Sequence, residues 1–433
     1  MRSRHFPLLA AAAAFLSTAA AARAEICAMD PVPAATLLLP YFELDPALPA
    51  GRTTLVSINN ASAAAALAHV TLWTDYAVPT LTFDVYLTGY DVQTINLRDL
   101  FNGALPRTAD LERDPGDHLS NQGRLSEEAT FPGCDALPPA LPALDAAARL
   151  ELRRAHSGDR SERYGGCAGA NYGDGLLRGY LTVDAVTRCT ALHPASPGYF
   201  SSGIASDRNV LWGWYAHVDP IGNFAQSETL VHIESCSDPS VGAGAGRCPL
   251  PATAPTFYGR YSAIAGKDQR EPLPTTFSAP FVNGGAFGGG TELVVWRDTK
   301  ALPKASCTPP PSWFPLGHVD VVAFDEEENV ADLCFPGDVT LPIGPPPSCF
   351  PLAAQSIELA GGNGLATDPT PPFAFGWMYL NLNHGVGPLA GAEPGQAWVT
   401  ALTSATGRYA IGVDAVQLDT ACDTKNGGTV LVP

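Results

Sequence analysis

From Leu81 to Thr88, apolar Leu81, Phe83, Val85 and Leu87 alternate with Thr82, Asp84, Tyr86 and Thr88, the period-two pattern of a strand with one buried face. Thr54, Val56 and Ile58 alternate in the same way ahead of Asn59-Asn60-Ala61-Ser62, a turn signal. A more apolar run covers residues 67–74, and residues 92–97 form a fourth after Gly89. Short polar connections leave no room for the crossovers that parallel strands require. The four runs therefore predict an antiparallel meander or part of a Greek key.

Strand patterns return at 177–189 (LRGYLTVDAVTRC), 210–218 (VLWGWYAHV) and 226–234 (QSETLVHIE). They recur at 291–298 (TELVVWRD), 319–325 (VDVVAFD), 373–381 (FAFGWMYLN), 397–402 (AWVTAL) and 409–418 (YAIGVDAVQL). Residues 102–175 are polar and Pro-rich around one helical pattern at 144–156 (LDAAARLELRRAH). There Asp145 suits the positive end of the helix dipole and Gly158 can end the helix. This stretch predicts an insertion at one end of a sheet, and residues 236–256 have the Gly and Pro density of a linker or long loop.

The expected fold class is all-β: an antiparallel β-sandwich architecture of two packed or tandem sandwiches, with long Pro/Gly-rich loops and one short helical insertion. The boundaries read as a signal peptide at 1–24, a first sandwich at 25–235 with its insertion at 102–175, a linker or long loop at 236–256, and a second sandwich at 257–433. Two echoes link the halves. Trp73-Thr74-Asp75 with Pro79 matches Trp296-Arg297-Asp298 with Pro303, and Val183-Asp184-Ala185-Val186 recurs as Val413-Asp414-Ala415-Val416. A duplication and one elongated β structure both stay open.

The N-terminus sets the compartment. Arg2, Arg4 and His5 precede an apolar run at 6–22 and then Ala22-Arg23-Ala24, the order of a secretory signal peptide cleaved before Glu25. The apolar run is shorter than the ~20 residues a spanning helix needs, and no later segment approaches that length. The expected location is secreted, periplasmic or at the cell surface, with no transmembrane segment after cleavage. Ten cysteines, an even number in an exported chain, predict disulfides. Among many connectivities, Cys134 with Cys167 and Cys236 with Cys248 are local candidates. No CxxC pair is present to point to zinc or a thioredoxin-like motif. A net charge of −18 turns the chain away from nucleic acid and anionic lipid. The 46% hydrophobic fraction argues against disorder.

Candidate chemistry is sparse. The chain has no Gly-x-Ser-x-Gly elbow, no Walker lysine loop, no GxGxxG and no His-Glu-x-x-His. The glycines at 242–246 and 284–290 read as turns. His217-Val218-Asp219 and His318-Val319-Asp320 each place a His and an Asp on one strand face, a spacing suited to a metal or an acid/base pair. The simpler use is a local hydrogen bond for each. The acidic run at 325–328 lacks EF-hand spacing and reads first as a solvated hairpin tip, as 110–117 reads first as a turn. Trp212 with Trp214, and Trp377 with Tyr379, share strand parity. These four are the candidate ligand-binding residues, a glycan-stacking surface if they line one exposed face; core packing is the competing use.

Residues 38–101, with TLVSINNAS, HVTLWTD and FDVYLTGYDVQTINLRDLF, together with 179–188, 209–214, LPTTF and FDEEEN at 324–329, carry a resemblance. On these phrases the chain resembles a set of uncharacterised exported bacterial proteins. The resemblance spans most of the chain after the leader and implies no activity, site residue or cofactor. The expectation is an exported, non-catalytic β-sandwich protein with a binding or structural role in the bacterial envelope or exterior. It needs no cofactor, does not bind nucleic acid, and has a glycan or another envelope protein as partner. The alternative is a secreted hydrolase acting on a glycan or peptide, with calcium assistance as one form. An outer-membrane barrel is a third and poorer fit.

Overall fold

The computed structural model describes residues 32–106, 131–134, 144–238, 250, 256–259, 261, 267–284, 289–298, 316, 320–334, 349–359, 370–383, 395–405, 409–414 and 416–417. The first half lays down β1 (Thr36–Leu44), β2 (Thr53–Asn60), β3 (Ala66–Trp73), β4 (Pro79–Leu87), β5 (Val92–Asn96) and helix α1 (Leu97–Phe101). Helix α2 (Ala146–Ser157) and the short pair β6 (Arg160–Ser161) and β7 (Gly166–Cys167) follow, then β8 (Leu177–Val186), β9 (Leu211–Asp219), β10 (Phe224–Thr229) and β11 (Val231–Ile233). The second half comprises β12 (Thr276–Val282), β13 (Gly290–Arg297), β14 (Val321–Phe324), β15 (Val330–Asp332), β16 (Ala354–Glu358), β17 (Phe375–Asn381), β18 (Ala397–Ala405), β19 (Tyr409–Asp414) and β20 (Val416–Gln417).

Apart from the two-stranded β6–β7 sheet, the described strands make four antiparallel sheets in two sandwiches. The first pairs a four-stranded sheet, β10-β9-β2-β5, with a five-stranded one, β11-β1-β8-β3-β4. The second pairs β16-β13-β18-β19 with β15-β14-β17-β12-β20. One apolar core fills each sandwich, around Val56, Phe83 and Leu181 in the first and Phe277, Leu293 and Met378 in the second. A third core, with Leu38, Trp73 and Tyr180 facing Trp296, Ala354 and Trp398, joins the outer face of the first five-stranded sheet to the outer face of the second four-stranded sheet. The layers therefore stack four, five, four, five.

The opening strands do not form a meander. β2 pairs with β5 and β9, whereas β3 pairs with β4 and β8, so the chain changes sheets at the turn after Asn60. Asn60 holds that corner, its Nδ2 donating to the carbonyls of Ala64 at 2.7 Å and Thr88 at 2.9 Å. The insertion does contain the expected helix. The Asp145 side chain caps α2 by accepting from the Ala148 amide at 2.7 Å, and Gly158 ends it in the left-handed region at φ 73°.

The two halves share one topology. Read in chain order, β12 to β20 repeat β1–β5 and β8–β11 strand for strand, with the same neighbours in both sheets. Register makes the match residue by residue. Thr36 opposite Asp184 corresponds to Thr276 opposite Asn381, and Phe42 opposite Gly179 corresponds to Phe281 opposite Gly376. The VQTIN of β5 corresponds to the AQSIE of β16. Both echoes seen in the sequence are false guides, because Trp73 lies on β3 and Trp296 on β13, which repeats β2. The shared glycines have a shared cause. A Cβ at Gly179 would stand 2.1 Å from the Trp73 carbonyl oxygen, and one at Gly376 would stand 1.8 Å from that of Phe324. At each notch an aromatic pair stacks, Trp73 with Tyr180 at 5.7 Å and Phe324 with Trp377 at 4.4 Å.

Disulfides are present, with one pairing different from expectation. Cys134 bonds Cys189, not Cys167, tying the insertion to the loop after β8. Cys167 sits in the β6–β7 hairpin and is itself disulfide-bonded, as is Cys236, while Cys248 lies outside the described residues. Cys334 bonds Cys349 in the second sandwich. The expected signal peptide at 1–24 also lies outside the described residues. Among the described residues, no helix is long and apolar enough to cross a membrane.

Candidate functional site

Where the stacked sandwiches meet at one side, a cleft of about 400 Å³ opens between them. The first half supplies Tyr41 and Glu43 from the end of β1, Arg52 from the turn before β2, His217 and Asp219 from the end of β9, and Phe224 from β10. The second half supplies Glu292 and Val294 from β13, Glu358 from β16 and Leu402 from β18.

One wall is a fixed ionic frame. The Arg52 guanidinium donates to Glu43 at 2.5 Å and to Asp219 at 2.8 Å. The same Glu43 carboxylate accepts from Arg178 Nε at 2.8 Å and from the Tyr41 hydroxyl at 2.9 Å. Arg178 is anchored in turn by Asp174 at 2.6 Å. His217 Nδ1 lies 3.2 Å from the Thr54 hydroxyl, between the rings of Tyr41 and Tyr215. Burial pushes its pKa down to about 4, so the imidazole is neutral at physiological pH.

The opposite wall is not neutralised in this way. Glu292 and Glu358 are direct cross-strand partners on β13 and β16, a like-charge arrangement that sheets disfavour. Ser356 donates its hydroxyl to Glu292. Burial, with the nearby charges of Glu43 and Glu358, raises the Glu292 carboxyl to about 7. At the same register in the first half stand Leu55 and Asn96, so the acidic pair belongs to the second half alone. The cleft therefore carries four carboxylates against Arg52, and one of them can donate or accept a proton near neutrality.

Of the residues nominated from sequence, His217 and Asp219 come together here, each also satisfying a local bond. His318 lies outside the described residues, and Asp320 accepts from Asn381 at 3.2 Å. Asp325 closes the β14–β15 hairpin by accepting from the Glu327 and Asn329 amides, as a solvated tip does. Among the described residues, no group of three or more His, Cys, Asp and Glu side chains is placed to hold a metal ion. The four candidate aromatics do not share a face. Trp212 and Trp214 are on the outer face of the first four-stranded sheet, while Trp377 and Tyr379 are on the outer face of the second five-stranded sheet. Tyr379 is buried and Trp377 is 37% exposed.

Glu43, Arg52, Glu292 and Glu358 were not legible as site residues, since they fit no motif. Glu292 leaves one trace, a charge at an alternate position of the apolar strand TELVVW. Comparison with protein-family models, with curated proteins and with solved structures finds no match.

Proposed function

We propose that the chain is an exported, non-catalytic binding protein of the bacterial envelope or exterior. Its cleft takes a small hydroxyl-rich ligand, a glycan unit by preference. The observation that carries this is the Glu292–Glu358 pair, two acceptors set opposite each other in a cleft whose other wall is already rigid. Carboxylates beside the Phe224 ring suit sugar hydroxyls and the apolar face of a pyranose. The leader sequence and the disulfides support export.

Calorimetric titration of the purified protein with a panel of mono- and oligosaccharides tests the reading. Binding should be lost in Glu292→Gln/Glu358→Gln and kept in a surface control such as Glu326→Gln. A panel in which no sugar binds the wild type, or binding that survives the double substitution, rejects the cleft as a glycan site.

One observation favours a second reading, a secreted glycan hydrolase. A carboxyl group titrating near 7 beside a second carboxylate is the arrangement of a general acid with its partner. Release of reducing ends from a polysaccharide, abolished by Glu292→Gln with binding retained, distinguishes turnover from binding alone.

A further inference from the structure

The two central sheets of the stack meet in the joint between the sandwiches, and the first four-stranded sheet takes no part in it. On the outer face of that sheet β9 presents Trp212, Trp214, Ala216 and Val218 in a line, since Leu211 and Tyr215, of the opposite parity, belong to the first core. At about 3.3 Å per residue the line is about 20 Å long. Both tryptophans are half-buried. Trp212 is braced by the His232 ring at 5.7 Å, and His232 is itself fixed by accepting from the Gly213 amide at 3.3 Å. Beside Trp214, the short side chains of Ser57 and Ala216 are buried, the pattern of a large ring laid across the sheet rather than standing out from it. Thr94, Ser227 and Thr229, to either side, are exposed, so the face is open.

Polarity narrows the partner. The protein carries −18, yet the outward positions of β2, β5, β9 and β10 hold no charged side chain. Around the tryptophans, in the cross-strand positions, stand Ser57, Asn59, Thr94 and Thr229, all short hydroxyl or amide groups. The core of a protein interface is poor in serine. Aromatic rings interleaved with neutral hydrogen-bonding groups suit pyranoses instead, whose ring faces stack and whose edges carry hydroxyls. The line also leads somewhere. Val218 and its cross-strand partner Thr53 line the cleft, so the row that begins at Trp212 runs to the cleft mouth, across which lies the Glu292–Glu358 pair.

We propose that this face is a track for an extended chain of neutral, equatorially linked pyranoses, stacked on Trp212 and Trp214 and reaching the cleft at Val218. The surface selects the linkage: a straight row of rings on a sheet matches a chain whose sugar faces stay in line, not one that coils. Charge selects neutrality, since an anionic polymer is repelled by the protein as a whole and meets no cation on the outward positions of these strands. The proposal rests on the glycan reading of the cleft only for where the chain ends, and it extends the ligand from one unit to a polymer.

Calorimetric titration with cello-oligosaccharides and N-acetylchito-oligosaccharides, from mono- to hexasaccharide, tests it on wild type, Trp212→Leu and Trp214→Leu. In wild type the affinity for at least one series should rise with length, on the order of 10-fold for each tryptophan reached. Each leucine variant should lose its part of that gain, and Trp214→Tyr should keep it, because a sugar stacks on an aromatic face and not on apolar bulk. Circular dichroism melting checks folding; Thr229→Arg, at an exposed position beside Trp214, blocks the track in place of any variant that does not fold. No gain with length in either series, or a gain that survives both leucine variants, overturns the track and leaves the cleft to be judged by Glu292→Gln/Glu358→Gln. A tryptophan-dependent gain that persists in that double variant keeps the track and rejects the cleft. A wild type that binds neither series at any length overturns both. Self-association in sedimentation velocity, lost in the leucine variants and unmoved by the sugars, would assign the face to a second copy and also overturn the track.

Discussion

Arg270 is a buried cation at the joint, and its removal should be among the most destabilising single changes in the protein. Its guanidinium is fully buried, with Nε 3.6 Å from the Asp184 carboxylate and NH1 3.5 Å from Asp268. It donates to the Thr36 hydroxyl and to the Ser206 carbonyl at 3.2 Å, and lies over the rings of Phe200 and Tyr258. Asp184 accepts in addition from Thr36 at 2.5 Å, Tyr199 at 2.9 Å and Tyr258 at 3.1 Å. A charge pair at that separation is worth about 5 kcal/mol at an effective dielectric near 20, a gross figure offset by desolvation of both ions. Breaking a buried pair from one side strands the other charge and costs about 3–5 kcal/mol. Arg270→Met should lose that much. Asp184→Asn should lose less, about 1–2 kcal/mol, because Asp268 still faces the Arg270 guanidinium and the amide oxygen still accepts at one of the two carboxylate positions. At the equivalent position the second half has Asn381, an amide in place of the carboxylate. In the double variant the losses should fall short of additive by about 2 kcal/mol. Guanidinium denaturation followed by tryptophan fluorescence measures all four corners of the cycle, since Trp73 and Trp296 report from the same core. A loss below about 1 kcal/mol for Arg270→Met, or strict additivity, would refute a coupled buried pair.

Glu292 should make the protein less stable as pH rises. Its folded pKa of about 7 exceeds the ordinary 4.5, so the folded state holds the proton across that window, and stability is fullest below about 4.5 and falls until about 7. The contribution is at most about 3 kcal/mol, reduced by solvent screening. Scanning calorimetry at about pH 5 and about pH 8 should show a shallower fall in Glu292→Gln, with a residual slope from buried Asp75, whose pKa burial raises to about 8. Gly376→Ala should cost about 1–3 kcal/mol in a thermal melt, because the new methyl would meet the Phe324 carbonyl and the stacked pair beyond it. Removing the Cys134–Cys189 bond, which closes a separation of 55 residues, should cost about 4 kcal/mol; non-reducing peptide mapping should recover those two cysteines in one linked pair.

Much of the fold was legible because it rests on local patterns. The alternation at 81–88 became β4, and Asp145 and Gly158 became the caps of α2. β1 was not foreseen, since it is buried on both faces, with Leu38 in the joint and Leu37 and Leu39 in the first core, so its residues TLLLPYF show no period-two alternation. The repeat was legible in kind but misaligned, because matching letters at Trp73 and Trp296 outranked the true correspondence of VQTIN with AQSIE. That match is carried by register, to which isolated identical letters are blind. The cleft was hidden for a further reason: its acids come from four strands spread over both halves of the chain, and the packing of one sandwich on the other brings the two sets together.

The segment between the sandwiches is more than a tether. Phe257, Tyr258, Arg270 and Leu273 are all buried in or beside the joint, and Gln396 of the second sandwich donates to the Thr256 and Phe257 carbonyls and accepts from the Leu273 amide. The described part of the chain that connects the sandwiches thus sits as a wedge packed against both. A change in the width of the cleft between the sandwiches would therefore have to repack Phe257, Tyr258 and Leu273 as well as the facing sheets.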